Sequence, residues 1–210
     1  MIAYIQNRFF QLSLLALTGI PLLLIFTMGM PERSLLKESF SVLTILAFFQ
    51  LIGQFFWART NRSAVRNLTM GSVLKYHKFI GYIFVAVMLF HPLYIVIPRF
   101  FEAGLSPVDA FVTMITTMNS GVVLGILAWC FMLILGVTSF MRTKLPMKYQ
   151  NWRILHGVLA ILFVTLAAWH AIDLGRHSTP AMSIFLGVLA ASGILLLLKT
   201  YFSNNQKPVK

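Results

Sequence analysis

Residues 75–94 read KYHKFIGYIFVAVMLFHPLY, and residues 151–172 read NWRILHGVLAILFVTLAAWHAI. Each stretch holds two histidines fourteen positions apart, His77 and His91 in the first and His156 and His170 in the second, separated by an almost wholly apolar run. Fourteen residues at ~100° each fall ~40° short of four full turns, so in an α-helix both histidines of a pair share one face. At ~1.5 Å per residue they lie ~21 Å apart along the axis, most of the hydrocarbon thickness of a bilayer. The chain has only five histidines, and four of them are placed in these two matched pairs.

The surroundings of the pairs are membrane-like. Of 210 residues 59% are hydrophobic and 10% charged, and the mean hydropathy of +0.83 does not suit a water-exposed surface. Six apolar stretches approach the ~20 residues a bilayer core requires: 9–29, 39–58, 76–97, 119–141, 152–174 and 180–201. The expected fold is an all-α integral membrane protein, a six-helix bundle over residues 1–202 with a basic tail at 203–210. The first stretch, after Arg8, runs on past the length of a signal-peptide core and lacks a small-x-small cleavage site before MPERS, so it reads as a retained helix.

The net charge of +12 is arranged by side of the membrane. Between the second and third stretches stand Arg59, Arg62, Arg66, Lys75 and Lys78 with no acid; between the fourth and fifth stand Arg142, Lys144, Lys148 and Arg153, again with none. Lys199, Lys207 and Lys210 add charge at the C-terminal end. The other connections are close to neutral, with Glu32, Arg33, Lys37 and Glu38, then Arg99, Glu102 and Asp109, then Asp173 and Arg176. The positive-inside rule therefore puts both termini and the two basic loops in the cytoplasm, and argues against a nucleic-acid surface. These cations face lipid headgroups, or form a docking face for an acidic partner.

With six spans and a cytoplasmic start, the third and fifth helices run parallel. His77 and His156 then lie near their inner ends and His91 and His170 near their outer ends. Intramembrane ionisable side chains are costly and usually serve a function. Two facing helices that each offer one imidazole at two levels suit two bis-histidine b haems, with His77 and His156 on the inner iron and His91 and His170 on the outer. Zinc or copper sites want three or four protein ligands close together, and no thiolate or carboxylate joins either level. A histidine proton relay would not require the same spacing twice. The single cysteine, Cys130, reads as a small buried core residue. Phe84 and Phe163 each lie seven residues from both histidines of their helix. Ordinary packing accounts for them in a chain with 19 phenylalanines, and bridging or spacing two haems is the sharper reading. Lys75, Lys78 and Arg153 lie within a turn of the inner ligands, where haem propionates would need cations; Arg99 and Arg176 are placed to do the same outside. The small residues Gly81, Gly121, Gly125 and Gly157 admit a close approach of helix or porphyrin.

The two histidine stretches, and above all the run Tyr149, Trp152, Arg153, Leu155, His156, resemble the transmembrane domain of the ferric reductase and NADPH oxidase superfamily, especially its bacterial ferric reductase-like members. The resemblance covers six helices in topology, with its motifs on the third and fifth. It implies that the four histidines ligate two b haems, that electrons pass from a cytoplasmic flavin to an external acceptor, and that the membrane is a bacterial inner membrane. Family members continue into flavin and nicotinamide domains, whereas this sequence holds no Gly-rich dinucleotide fingerprint. FAD or FMN and NAD(P)H are therefore expected only through a partner or a further domain.

The leading expectation is a haem b oxidoreductase component of the membrane. It would accept electrons from a cytoplasmic flavoprotein reductase and deliver them to a ferric chelate, oxygen or a periplasmic protein. A quinol-linked haem subunit feeding a periplasmic reductase is one alternative, and a haem-free transporter or metal-binding protein another. No side chain is singled out as catalytic, because the protein's tasks would be to space the haems, tune them and exclude water. His177, beside Arg176 at the outer rim, reads as a solvated loop histidine, with binding of an acidic chelate or metal as the sharper option.

Overall fold

The computed structural model describes residues 7–27, 34–58, 68–116 and 119–204, all helix and short connection. Among the described residues eight helices follow one another: α1 (Arg8–Thr27), α2 (Leu35–Trp57), α3 (Met70–Leu89), α4 (His91–Ala103), α5 (Pro107–Thr116), α6 (Ser120–Phe140), α7 (Tyr149–Leu174) and α8 (Pro180–Asn204). Six spans among the described residues are long and apolar enough to cross a membrane: α1, α2, α3 with α4, α6, α7 and α8. The all-helical, six-span architecture agrees with the sequence. The loop and tail charges Glu32, Arg33, Arg59, Arg62, Arg66, Lys207 and Lys210 lie outside the described residues.

Local chemistry sets the ends of these helices. Ser34, Thr69 and Asn119 sit in extended backbone before α2, α3 and α6, and their side chains accept from the amides of Lys37, Ser72 and Val122 at 3.3, 3.3 and 2.9 Å. Gly104, with φ 64°, closes α4 in the left-handed conformation that favours glycine.

Two boundaries differ from expectation. The third span, read as 76–97, runs over Met70–Ala103 and is interrupted at Phe90. The cause is Pro92, which has no N–H to donate to Met88 and so breaks the ladder one residue after His91. The neutral connection after it holds a helix, α5, which at 10 residues is too short to cross a bilayer. Its start is nonetheless written in the sequence. Ser106 accepts from the Asp109 amide at 3.1 Å and donates to the Asp109 carboxylate at 2.7 Å, with Pro107 in the first helical position.

α2 is the central helix, with a run from Ala47 to Phe55 buried along with Trp57. It packs against α1, α3, α4 and α8, while α6 and α7 form the most intimate pair. In lipid the packing of apolar surface replaces no water, so close van der Waals fit and interhelical hydrogen bonds hold such bundles, at ~0.6 kcal/mol per bond on average. Gly53 is an example of the fit, since a Cβ there would come within 2.8 Å of Leu17. Gln50 donates to Thr18 at 3.1 Å and the Trp57 indole to Ser13 at 2.5 Å, tying α2 to α1. By contrast α7, which bears His156 and His170, is not closely packed against α3, which bears His77, or against α4, which opens with His91. They face one another across a space that their side chains bridge.

Candidate functional site

The structure brings the four histidines together two by two. The ring centres of His77 and His156 are 6.1 Å apart, with their planes at 67°; those of His91 and His170 are 6.4 Å apart, at 77°. The near equality is not imposed by the helices. α7 is unbroken from His156 to His170, whereas the other pair straddles the break at Phe90.

Three of the rings are held by their second nitrogen. His170 donates from Nδ1 to the Gly121 carbonyl at 2.8 Å. The Ser139 hydroxyl lies 3.1 Å from His156 Nδ1 and itself donates to the Leu135 carbonyl at 2.6 Å. Its proton is thus committed, and the oxygen accepts from Nδ1–H. Thr44 repeats the device, 3.3 Å from His91 Nδ1 while donating to the Phe40 carbonyl at 2.8 Å. Each arrangement selects the tautomer with Nδ1 protonated and leaves the Nε2 lone pair available. His77 differs, since its buried Nδ1 has no hydrogen-bond partner among the described residues.

α6 supplies much of this support. A Cβ on Gly125 would lie 2.7 Å from the His170 ring, so that only glycine admits the imidazole there, one turn from the carbonyl that anchors it. Gly121 likewise leaves room for Asp173 and Leu174, and Gly157 for Tyr201, whereas Gly81 faces open space. The hydroxyl partners Thr44 and Ser139 were missed by sequence reasoning. Either would pass there as an ordinary helical hydroxyl bonding back to its own helix.

The remaining expected site residues take varied positions. Phe163 is buried, edge-on to Phe48 at 6.1 Å, and Phe84 packs against the same core. Lys75 and Lys78 are exposed, as is Arg176, and Arg99 is half-buried on α4. Arg153 lies over the Tyr201 ring at 5.4 Å, and Tyr201 donates to the Arg153 carbonyl at 2.8 Å. Cys130, read as buried, is exposed on α6. Its helix is apolar on every side, so that burial does not follow from composition.

His177 requires a larger correction. It is not a solvated loop residue but is 6% exposed, with Nε2 2.7 Å from the carboxylate of Glu38, itself 7% exposed. The connection between α7 and α8 folds inward because Ser178 bonds back to the Ala171 carbonyl, carrying His177 against the first turn of α2. Beside it Ser34 and Lys37 both engage Glu102 of α4. These contacts brace one end of the bundle.

A family model described as ferric reductase like transmembrane component matches residues 43–167. The chain belongs to this family. The match runs from α2 into α7, including His77, His91 and His156 and stopping three residues before His170. An "Uncharacterized protein" of Archaeoglobus fulgidus is 43% identical over 159 residues, 76% of this chain and 87% of that protein. No solved structure matches. Membership in the ferric reductase-like family, with six spans, makes the chain an integral membrane protein of the oxidoreductase class and suggests electron transfer across the membrane.

Proposed function

We propose that the chain carries electrons across a membrane through two b haems, His77 and His156 holding the inner and His91 and His170 the outer. The observation that carries this reading is the spacing of the rings. Imidazoles that would hold one metal between them, each nitrogen ~2 Å from it and ~1 Å from its own ring centre, would have their centres ~6 Å apart. The pairs stand at 6.1 and 6.4 Å. The chemistry of the donor set agrees, because an imidazole that donates its other N–H to a carbonyl or hydroxyl is the usual form of a metal-ligating histidine. A haem, when bound, supplies a one-electron iron couple and its own four equatorial nitrogens, so two protein ligands per level suffice.

The protein's own residues have three tasks. Ser139, Thr44 and the Gly121 carbonyl orient the imidazoles and raise their basicity. The apolar spans keep water from the site. Lys75 and Lys78 near the inner pair, and Arg99 and Arg176 near the outer, offer cations to propionates; Arg153 is already engaged by Tyr201. Phe84 and Phe163 stand midway along their helices between the two levels. The basic loops mark the cytoplasmic side, where a flavoprotein reductase using NAD(P)H delivers electrons, and a ferric chelate is the external acceptor.

The test is a pyridine haemochrome assay with stoichiometry. The wild type should carry about two b haems per chain. His77→Ala and His156→Ala should lose one and the same haem, and His91→Ala and His170→Ala the other. A chain without haem would overturn the reading, and so would a set of variants that all lose the same haem.

A further inference from the structure

His156 is connected to the protein surface by a series of aromatic contacts. Trp152, one turn earlier on α7, has its ring centre 5.0 Å from that of His156, with the planes at 32°. Its indole N–H donates to the Thr138 carbonyl on α6 at 3.0 Å, which fixes the ring in place. Tyr149 stacks on Trp152 at 5.9 Å and 21°, and is 43% exposed. The Arg142 guanidinium covers both, 4.5 Å from the Tyr149 centre and 5.1 Å from that of Trp152. Lys144 and Lys148, both exposed, flank it on the same connection. Interfacial anchoring explains why a tryptophan and a tyrosine lie at a membrane boundary. It does not explain why the indole is laid on the imidazole, or why its other edge is tied to α6.

We infer that Tyr149 and Trp152 form the electron inlet of this protein, coupling a donor on the basic end of the bundle to the metal held by His156. The donor is the flavin of the proposal above, which can divide a nicotinamide's electron pair for a haem that accepts one electron at a time. One electron would leave the flavin hydroquinone and the next the semiquinone so formed, a proton passing to water with each, and each electron would reduce one ferric iron held by His156 to ferrous. The two aromatic rings bridge the gap without changing oxidation state. Arg142, Lys144 and Lys148 give this end the charge to attract a phosphate-bearing flavin. The inference rests on the proposal above that His156 ligates the inner haem.

The test uses inverted membrane vesicles, whose cytoplasmic face is outward, and photoreduced FMN as a membrane-impermeant donor. Haem reduction is followed anaerobically by stopped flow, with haem per chain measured for every variant. Trp152→Leu should keep two haems and slow reduction at least tenfold, while Trp152→Phe, which retains a ring, should stay within threefold of wild type. Tyr149→Leu, which does not touch His156, should slow it severalfold. Lys144→Gln with Lys148→Gln should flatten the salt dependence of the rate. In right-side-out vesicles these variants should be reduced at the wild-type rate. Wild-type rates for Trp152→Leu and Tyr149→Leu with haem intact would overturn the inlet while leaving the haem reading in place. If Trp152→Leu loses the inner haem, Tyr149→Leu decides, and an unchanged rate there overturns the inlet. A wild type without haem would instead remove the reading beneath it.

Discussion

Substituting Gly125 by alanine adds one carbon where the His170 ring leaves no room for it. The new Cβ would lie 2.7 Å from both Cε1 and Nδ1 of His170 and 3.2 Å from Cγ, where ordinary contact begins at 3.4 Å. The ring must retreat by about 0.7 Å, the difference between those distances, and it cannot do so freely because Nδ1 is bonded to the Gly121 carbonyl at 2.8 Å. Overpacking of this kind costs ~1–3 kcal/mol, and weakening the hydrogen bond adds ~1 kcal/mol. The sum of ~2–4 kcal/mol corresponds to a ~30- to 700-fold weaker hold on the outer haem, at ~1.4 kcal/mol per tenfold. Haem per chain, measured after purification and by titration of apoprotein with haemin, should fall from about two to about one, with the inner haem spectrum unchanged. Gly136→Ala is the control, because its Cβ would meet only Val85 at 3.7 Å. If Gly125→Ala retains both haems with wild-type affinity, His170 does not hold a haem in the orientation described.

Three further outcomes are expected. Ser139→Ala removes the acceptor from His156 Nδ1; the less basic imidazole should raise the midpoint potential of one haem by up to ~40 mV, the one-electron equivalent of ~1 kcal/mol, in a spectroelectrochemical titration. A potential unchanged within error would show that this bond does not tune the ligand. His177→Ala removes a 2.7 Å contact of the buried Glu38 carboxylate, which should destabilise the bundle by ~1.5–3 kcal/mol, the worth of one hydrogen bond to a charged group, visible as a lower melting temperature with haem content initially normal; a melting temperature within a degree of wild type would count against a bracing role. Phe163→Leu, at a buried position against Phe48, should lower stability by ~1 kcal/mol with little change in haem-to-haem transfer if the ring is packing alone, whereas a tenfold slower reduction of the outer haem would make it part of the electron path.

The histidine array was legible because two independent periodicities coincide in it. Apolar length marks the spans, and a fourteen-residue separation returns nearly to the same helical face, so facing pairs follow wherever two such helices run parallel. That reasoning assumed straight helices. On α7 the assumption holds, while on the third span the break at Pro92 lies beside one histidine, and the pair still closes to 6.4 Å. The helix count alone therefore does not account for the outer level. Packing of α4 against α2, where Phe40 stacks on Tyr94 at 4.7 Å, sets the direction of the second half of that span.

What the sequence concealed was the set of contacts between residues far apart in the chain. Thr44, Ser139 and Gly121 lie 47, 17 and 49 positions from the imidazoles they hold, and no local pattern distinguishes them from the other hydroxyls and glycines of an apolar span. The same limit misplaced His177, whose partner is 139 positions away at the start of α2, the difference of 177 and 38. A histidine after the end of a helix looks solvated until the fold supplies a carboxylate. In retrospect one signal was available: Glu38 falls in the first turn of α2, only three residues after its first residue, where a membrane-facing acid would be unusually costly. The bases that the sequence places at that end of the bundle are Arg33, which lies outside the described residues, and Lys37, Arg99, Arg176 and His177. Of the last four, Lys37 is taken by Glu102 and only His177 is buried.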